Sequence, residues 1–359
     1  MTARLPSDLL ARSAEESCRL LALGYLDEIG RAESRLADPQ DAEALHDFRV
    51  GLRRLRSCTR AYRAHLKGSV TGKMQQRLRK LSLATSAGRD TEVHLDWLRN
   101  QGERLESEET QGLSWLIGRL EGRQYESTDR ATAEVGRRFV KAATKFRPRL
   151  ATLRVEIGAG QREKQRSFGQ FTGELIQQQV ARLGEDLARV REAANVKEAH
   201  KARISIKRLR YLLEPVARRT SRARGLISRL KEAQDILGSL HDMHVLSDEI
   251  ASSIAALAGG PLDRALGPLP GLRALERLAN EQAVAAFERF EVLWGGERAG
   301  RFLLRAGGLG RSLTEGPAKV THEAARLRLT GRRAEAPPII GEMEPRDAPE
   351  SMSVSQEKW

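Results

Sequence analysis

The sequence predicts an all-α protein, and two observations support this fold class. Apolar residues recur three and four positions apart, with charged residues between them, through almost every segment of the 359-residue chain. No segment alternates apolar and polar residues over a length that would indicate a β-strand. The breaks in the pattern fall at turn-forming sequences such as Asp38-Pro39 and Gly68-Ser69, where helices are expected to end.

The helical pattern divides the chain into two series of four predicted helices. The first series covers residues 7–35, 41–67, 73–101 and 109–146, and the second covers residues 168–193, 195–220, 224–257 and 271–305. A polar, glycine-containing segment at 155–167 is predicted to link them. The halves are therefore 8–154 and 168–305. One further short helix is expected within 306–330, followed by a disordered tail at 331–359, where prolines accumulate.

Two sequence blocks occur in both halves and in the same order. Residues 46–56 read HDFRVGLRRLR and residues 200–210 read HKARISIKRLR, at an offset of 154 positions. Residues 78–93 and 230–245 form a second, weaker pair at an offset of 152. Because both pairs lie at nearly the same offset, chance is a poor explanation. The chain is predicted to be an internal duplication.

The composition is strongly basic, which indicates a polyanionic partner. The net charge is +14, and 50 of the 62 Lys and Arg residues are arginines. The planar guanidinium suits phosphate oxygens, and GC-rich coding is the alternative reason for the excess of arginine. Aromatic residues make up only 4%, which argues against binding through base stacking. Two cysteines, Cys18 and Cys58, cannot build a disulfide framework, so a reducing compartment is expected. The sequence predicts neither a signal peptide nor a membrane span, so a cytoplasmic protein without a membrane partner is expected.

In each copy of the longer repeat, basic residues fall on one side of the predicted helix and apolar residues on the other. At 100° per residue, the basic stripe of the first copy spans about 80°. The stripes consist of His46, Arg49, Arg53 and Arg56, extended by Arg60 and Lys67, and of His200, Arg203, Lys207 and Arg210. The predicted core residues are Phe48, Leu52, Leu55, Cys58 and Tyr62, and Ala202, Ile206, Leu209 and Leu213. Like charges at this spacing destabilise a helix, so the stripes need a bound anion or nearby carboxylates, of which Asp90 and Asp242 are candidates. A solvated basic face is the alternative, but a stripe that occurs twice favours an anion-binding surface with one wall in each half.

These motifs resemble those of the CHAD domain, the conserved-histidine α-helical domain. The resemblance rests on HxxRVxxRRLR in the first half, on HxxRxxxKRLRYxLE in the second, and on the segments AGRD (87–90) and LGSLHD (237–242), which are similar to the LGxxRD-type block of the family. It covers roughly residues 8–305. The resemblance implies two pseudo-symmetric antiparallel four-helix bundles with a basic groove or pore between them. It also implies binding of inorganic polyphosphate.

The resemblance further implies which residues contact the ligand. They are the eight stripe residues His46, Arg49, Arg53, Arg56, His200, Arg203, Lys207 and Arg210. Secondary candidates are Arg54, Arg208, Arg79, Lys231 and Arg89. Arg54 and Arg208 belong to the matched motif but point near 80° on the same helical wheel, away from the stripe. Members of the family often carry a CYTH triphosphatase domain with an ExExK signature. Since this sequence has no such domain, the expectation is binding without catalysis or a cofactor, in association with cytoplasmic polyphosphate granules.

Two other functions remain open from the residues. Non-specific nucleic-acid binding at low salt is compatible with the charge, although no helix-turn-helix, zinc-finger, RNP or KH pattern is present. A metal-binding or phosphohydrolase-accessory domain is the second alternative, because His46, His200, His241 and His244 are potential ligands. However, the stripe histidines lie among cations that repel a divalent ion, and the sequence has no GxxxxGK[ST] phosphate loop. The prediction is a polyphosphate-binding protein with no catalytic residues and no metal site.

Overall fold

The computed structural model describes residues 5–38, 40–85, 89–127, 129–152, 166–259 and 267–315, without the side chains of residues 42, 89 and 124–133. Its helices are α1 (Ala14–Glu33), α2 (Ala42–Ala61), α3 (Gly72–Ala84), α4 (Arg89–Arg99), α5 (Thr110–Ser127), α6 (Asp129–Ala151), α7 (Phe168–Leu187), α8 (Val196–Ala217), α9 (Ser221–Ala258), α10 (Leu269–Trp294) and α11 (Gly296–Glu315). A 3-10 turn follows α4, and no strand is formed within these ranges. None of the described helices is both long and apolar enough to cross a bilayer. The predicted all-α fold class is confirmed.

Helix starts in the two halves follow the spacing of the sequence repeat. Ser13 and Ser167 cap α1 and α7, because each hydroxyl accepts a hydrogen bond from the third backbone N–H of its helix, at 3.3 and 3.2 Å. These caps lie 154 positions apart, and so do Asp41 and Asn195, which precede α2 and α8. The same offset separates the two basic motifs. Most of the predicted linker at 155–167 lies outside the described residues.

The predicted helix 73–101 is divided into α3 and α4. α5 and α6 both fall largely within the predicted helix 109–146, and residue 128, between them, lies outside the described residues. The break between α3 and α4 follows Ala84. There the hydroxyl of Thr85 donates to the carbonyl oxygen of Leu81 at 3.2 Å. Side-chain bonds of this kind compete with continuation of a helix.

The predicted helix 271–305 is also divided, at Gly296. Its φ of +50° lies in the left-handed region, which glycine adopts without the steric cost of a Cβ atom. Beyond this turn α11 continues to Glu315. The segment 306–330, which the sequence suggests as a separate short helix, therefore begins inside α11. Its remainder and the predicted tail at 331–359 lie outside the described residues.

Four helices, two from each half, pack against one another. α1 packs on α2 and α7 packs on α8, while contacts of α2 with α8 and of α1 with α7 join the two pairs. All nine predicted core residues of the basic motifs are confirmed as buried, at 5% exposure or less. A large apolar side chain buried in this way contributes about 1.5–3 kcal/mol. Burial of one side of α2 and α8 fixes the direction in which their basic side chains leave the helices.

Candidate anion-binding site

The carboxyl-terminal halves of α2 and α8 line an open cavity of about 950 Å³, whose walls also include α1 and α7. We call it the central cavity. Its Arg and Lys side chains are Arg53, Arg54, Arg56 and Arg60 from α2, Arg182 from α7, and Lys207 and Arg208 from α8. No Asp or Glu is among the described residues that line it. The central cavity therefore concentrates positive charge and has room for an anionic ligand.

The cations of the central cavity repel one another across the two halves. The pKa of Arg208 on α8 is lowered by burial and then by the charges of Arg60 on α2 and Arg182 on α7. The pKa of Arg56 is likewise lowered by burial and then by Arg60 and Arg79. An anion bound between these groups would favour their charged forms and relieve the repulsion.

Arg54, by contrast, is held by two carboxylates. Its Nε donates to Oε2 of Glu214 at 3.0 Å, and its Nη1 lies 3.4 Å from Oε2 of Glu28. Burial acts to lower the pKa of Arg54, but the charges of Glu214 and Glu28 raise it overall. Burial also raises the pKa of Glu214, against the opposing effect of Arg54 and Arg210. The Arg54–Glu214 pair therefore joins α2 to α8 with largely compensated charge.

The amino-terminal half of α2 directs its basic residues elsewhere. His46 is exposed. The Nε atom of Arg49 donates to the carbonyl oxygen of Thr85 at 2.5 Å, and its Nη1 lies 3.7 Å from Oε2 of Glu92 on α4. Only 13% of the Arg49 side chain is exposed. Arg49 thus connects α2 to the end of α3 and to α4, one helical turn before the residues that line the central cavity.

On α8, the corresponding residues lie beside α9. The ring centroid of His200 is 5.2 Å from that of His241. A Cβ atom placed on Gly238 would lie 3.7 Å from Nη2 of Arg203, so this guanidinium covers the α9 backbone at that glycine. The second-copy histidine therefore belongs to a cluster between α8 and α9 and not to the lining of the central cavity.

His241 is expected to titrate near pH 4. Burial and then the charges of Arg203, His200 and Lys207 lower its pKa to about 4, while Asp90 on α4 acts to raise it. Since the folded pKa lies below the unfolded value of 6.5, the group contributes stability that is present above pH 6.5 and lost as the pH falls towards 4. NMR titration of the ring measures the midpoint, which Arg203→Gln is expected to raise. A wild-type midpoint near 6.5 would contradict this arrangement.

Three other sequence candidates, Arg210, Arg79 and Lys231, are not among the described residues that line the central cavity. The Cζ atom of Arg210 is 4.9 Å from the ring centroid of Tyr211, and its Nε lies 3.7 Å from Oε1 of Glu214. Arg79 is exposed on α3, and Lys231 is exposed on α9. The side chain of Arg89 lies outside the described residues.

The structure thus brings five of the thirteen sequence candidates to the central cavity, namely Arg53, Arg54, Arg56, Lys207 and Arg208. Two of these, Arg54 and Arg208, are residues that the helical wheel directs away from the stripe. Arg60 and Arg182 also line the cavity. Arg60 extends the predicted stripe by one turn, whereas Arg182 lies on α7, outside both motifs. No sequence signal marks Arg182.

Histidines near these helices hydrogen bond to backbone carbonyl groups. Nε2 of His94 lies 3.2 Å from the carbonyl oxygen of Asp242, and Nε2 of His244 lies 3.0 Å from that of Ala193. Across the described ranges, no three His, Cys, Asp or Glu side chains are grouped so that they could hold a metal ion. The metal alternative therefore has no ligand group among the described residues.

Comparison with known proteins places the chain in a family. A family model described as the CHAD domain matches residues 21–251, which is more than half of the sequence. The crystal structure of the CHAD domain from the plant Ricinus communis is similar with a TM-score of 0.57 and 20% sequence identity, over 84% of this chain and 96% of that one. At this identity the structural similarity shows the fold alone. A search of curated proteins gave no match. From the family match and the shared fold, we conclude that the chain belongs to the CHAD domain family.

Proposed function

We propose that this protein binds inorganic polyphosphate in the central cavity and carries out no reaction on it. The observation that carries the proposal is the convergence of seven Arg and Lys side chains from α2, α7 and α8 on one cavity. Guanidinium groups bind phosphate oxygens through paired hydrogen bonds, and such charge-assisted bonds are about twice as strong as neutral ones. The association of CHAD domains with polyphosphate supports the same ligand.

The aromatic residues of the central cavity favour a ligand that consists of phosphate alone. Tyr25 and Tyr62 line the cavity but are at most 8% exposed. The ring of Tyr211 is covered by the guanidinium of Arg210 at 4.9 Å. A nucleic-acid base needs an open aromatic face on which to stack. Single-stranded nucleic acid is therefore expected to bind through its backbone only, and less tightly than polyphosphate.

Equivalent positions of the two repeats lie in the same cavity. Arg53 corresponds to Lys207 and Arg54 to Arg208, and all four residues line it. A linear ligand between α2 and α8 would thus meet cations from both halves. Since long chains accumulate in cytoplasmic polyphosphate granules, we expect the protein to be found on them.

A competition titration at about 150 mM salt tests this function, because affinities for polyanions depend steeply on ionic strength. Labelled long-chain polyphosphate is displaced from the full-length protein by single-stranded DNA, RNA, heparin or ATP, each at matched phosphate or sulfate concentration. We expect unlabelled polyphosphate to compete at least about tenfold better than any of them. Equal competition by nucleic acid or heparin would contradict the proposal and favour non-specific polyanion binding.

A further inference from the structure

A second basic cleft lies on the surface between α3 and α6, with a volume of about 240 Å³. We call it the α3–α6 cleft. It is lined by Arg77, Lys80, Leu81 and Ala84 from α3 and by Arg138, Lys141, Ala142 and Lys145 from α6. Five of these eight residues are basic, and none is acidic. Of its three apolar residues, Leu81 and Ala142 are buried, so the cations supply the polar groups that an anionic ligand would meet.

Most of this charge has no counter-ion in the described part of the chain. Arg138 is paired with Glu134 at 2.7 Å. The other four cations are exposed, and no described Asp or Glu forms an ion pair with them. Like charges one turn apart on a helix destabilise it by some tenths of a kcal/mol per pair. An anionic ligand in the cleft would remove this repulsion from α3 and α6 together.

Helix α3 places the cleft next to the central cavity. It packs on α2 on one side and on α6 on the other. From the cavity, Nη1 of Arg56 donates to the hydroxyl of Ser82 on α3 at 2.7 Å, and Arg79 is close enough to Arg56 to lower its pKa. Arg79 is followed directly by Lys80, which lines the cleft. Arg79 and Lys80 leave α3 about 100° apart, on either side of an exposed surface that also carries Leu83, and the helix contains no Asp or Glu.

We infer that a polyphosphate chain long enough to leave the central cavity passes Arg79 and enters the α3–α6 cleft, so that the protein selects long chains over short ones. This inference rests on the proposed function. Binding of a second segment of the same chain is an intramolecular step with a high effective concentration, which raises the affinity for long chains only. Helix α3 has no acidic residue and carries Arg79 near Arg56 and Lys80 in the cleft. This favours a polyphosphate chain over an acidic protein or an anionic membrane, for which nothing would link the cleft to the cavity.

The test compares two ligands and two matched variants of the full-length protein. Lys80→Gln/Lys141→Gln/Lys145→Gln removes three charges from the cleft. The control Arg273→Gln/Arg289→Gln/Arg305→Gln removes three charges from exposed positions on α10 and α11. The Kd is measured for long-chain polyphosphate and for tripolyphosphate, which is too short to bridge the two sites. We expect the preference for the long chain to fall about tenfold in the cleft variant and to be unchanged in the control.

Three results would overturn the inference. The first is an unchanged preference for long chains in the cleft variant. The second is an equal loss of affinity in the cleft variant and the control, since the effect would then reflect net charge. The third result comes from vesicles that contain phosphatidylserine. If the wild type sediments with them and the cleft variant does not, while both proteins bind polyphosphate with the same affinity, the cleft binds a membrane instead. If the wild type binds neither long-chain polyphosphate nor tripolyphosphate, the proposed function is wrong as well. The first two results do not contradict the proposed function.

Discussion

The double variant Arg56→Glu/Arg208→Glu is expected to bind long-chain polyphosphate at least about 100-fold more weakly than the wild type. Both side chains line the central cavity, one from each half of the chain. The variant therefore replaces a cation by a carboxylate on each wall. One hydrogen bond to a charged group contributes about 1.5–3 kcal/mol, so the loss of two corresponds to two or more orders of magnitude in Kd. Isothermal titration calorimetry at a fixed salt concentration measures the change.

The same variant is expected to retain or increase its free energy of unfolding in the absence of ligand. The pKa of each arginine is lowered by burial and by neighbouring cations, so neither charge is in a favourable environment in the empty cavity. A carboxylate at position 56 would lie beside Arg60 and Arg79. One at position 208 would lie beside Arg60 and Arg182, each of which acts on that position more strongly than the carboxylate of Asp186. Urea denaturation separates the two effects. A large loss of unfolding free energy would contradict the argument, since weaker binding could then result from misfolding.

A variant with the same change in net charge, Arg289→Glu/Arg305→Glu, is the control for this experiment. Both residues are exposed on α10 and α11, outside the lining of the central cavity. Long-range attraction of a polyanion by the whole protein would decrease equally in both variants. The affinity of the control is therefore expected to change little. A comparable loss in both variants would show that net charge, and not the central cavity, determines binding.

The fold class and the core could be predicted from the sequence because a single periodicity determines both. Phe48, Leu52 and Leu55 recur at helical spacing, and the same spacing that predicts the helix also predicts which side is buried. The breaks after Ala84 and at Gly296 could not be predicted in this way. Apolar spacing continues across both, whereas the breaks depend on local backbone geometry and side-chain hydrogen bonds.

The candidate site could be predicted only in part from the sequence. Its residues come from several helices, whereas helical periodicity compares only residues of one helix. A helical wheel ignores position along the axis, so it groups Arg49 with Arg56 although only Arg56 lines the central cavity. It also separates Arg54 from the stripe, although the side chain is long enough to reach the same cavity. Arg182 enters from α7 only because α7 packs on α8, a tertiary contact that neither motif encodes.

The substitution Arg54→Met is expected to lower the free energy of unfolding at neutral pH by about 2 kcal/mol. Arg54 joins α2 to α8 through Glu214 and also contacts Glu28. Among the described residues, removal of the cation would leave the mostly buried carboxylate of Glu214 with only the more distant Arg210 as a counter-ion, at 3.7 Å. Breaking a fully buried pair costs about 3–5 kcal/mol, and the partial exposure of Arg54 reduces this figure. Urea denaturation at several pH values measures the loss.

The pH dependence and a second substitution identify the cause. Without Arg54, the folded pKa of Glu214 is expected to rise further above its unfolded value, so the folded state binds the proton more tightly. The free energy of unfolding of the variant then decreases as the pH rises from the unfolded pKa of Glu214 towards its folded pKa. In acid, the free energy of unfolding of the variant approaches that of the wild type. The double variant Arg54→Met/Glu214→Gln, which has no carboxylate to leave uncompensated, is expected to recover most of the loss. The contradicting result is that Arg54→Met lowers the free energy of unfolding by the same amount in the Glu214→Gln background as in the wild type. Packing of the arginine side chain, and not the ion pair, would then stabilise the contact of α2 with α8.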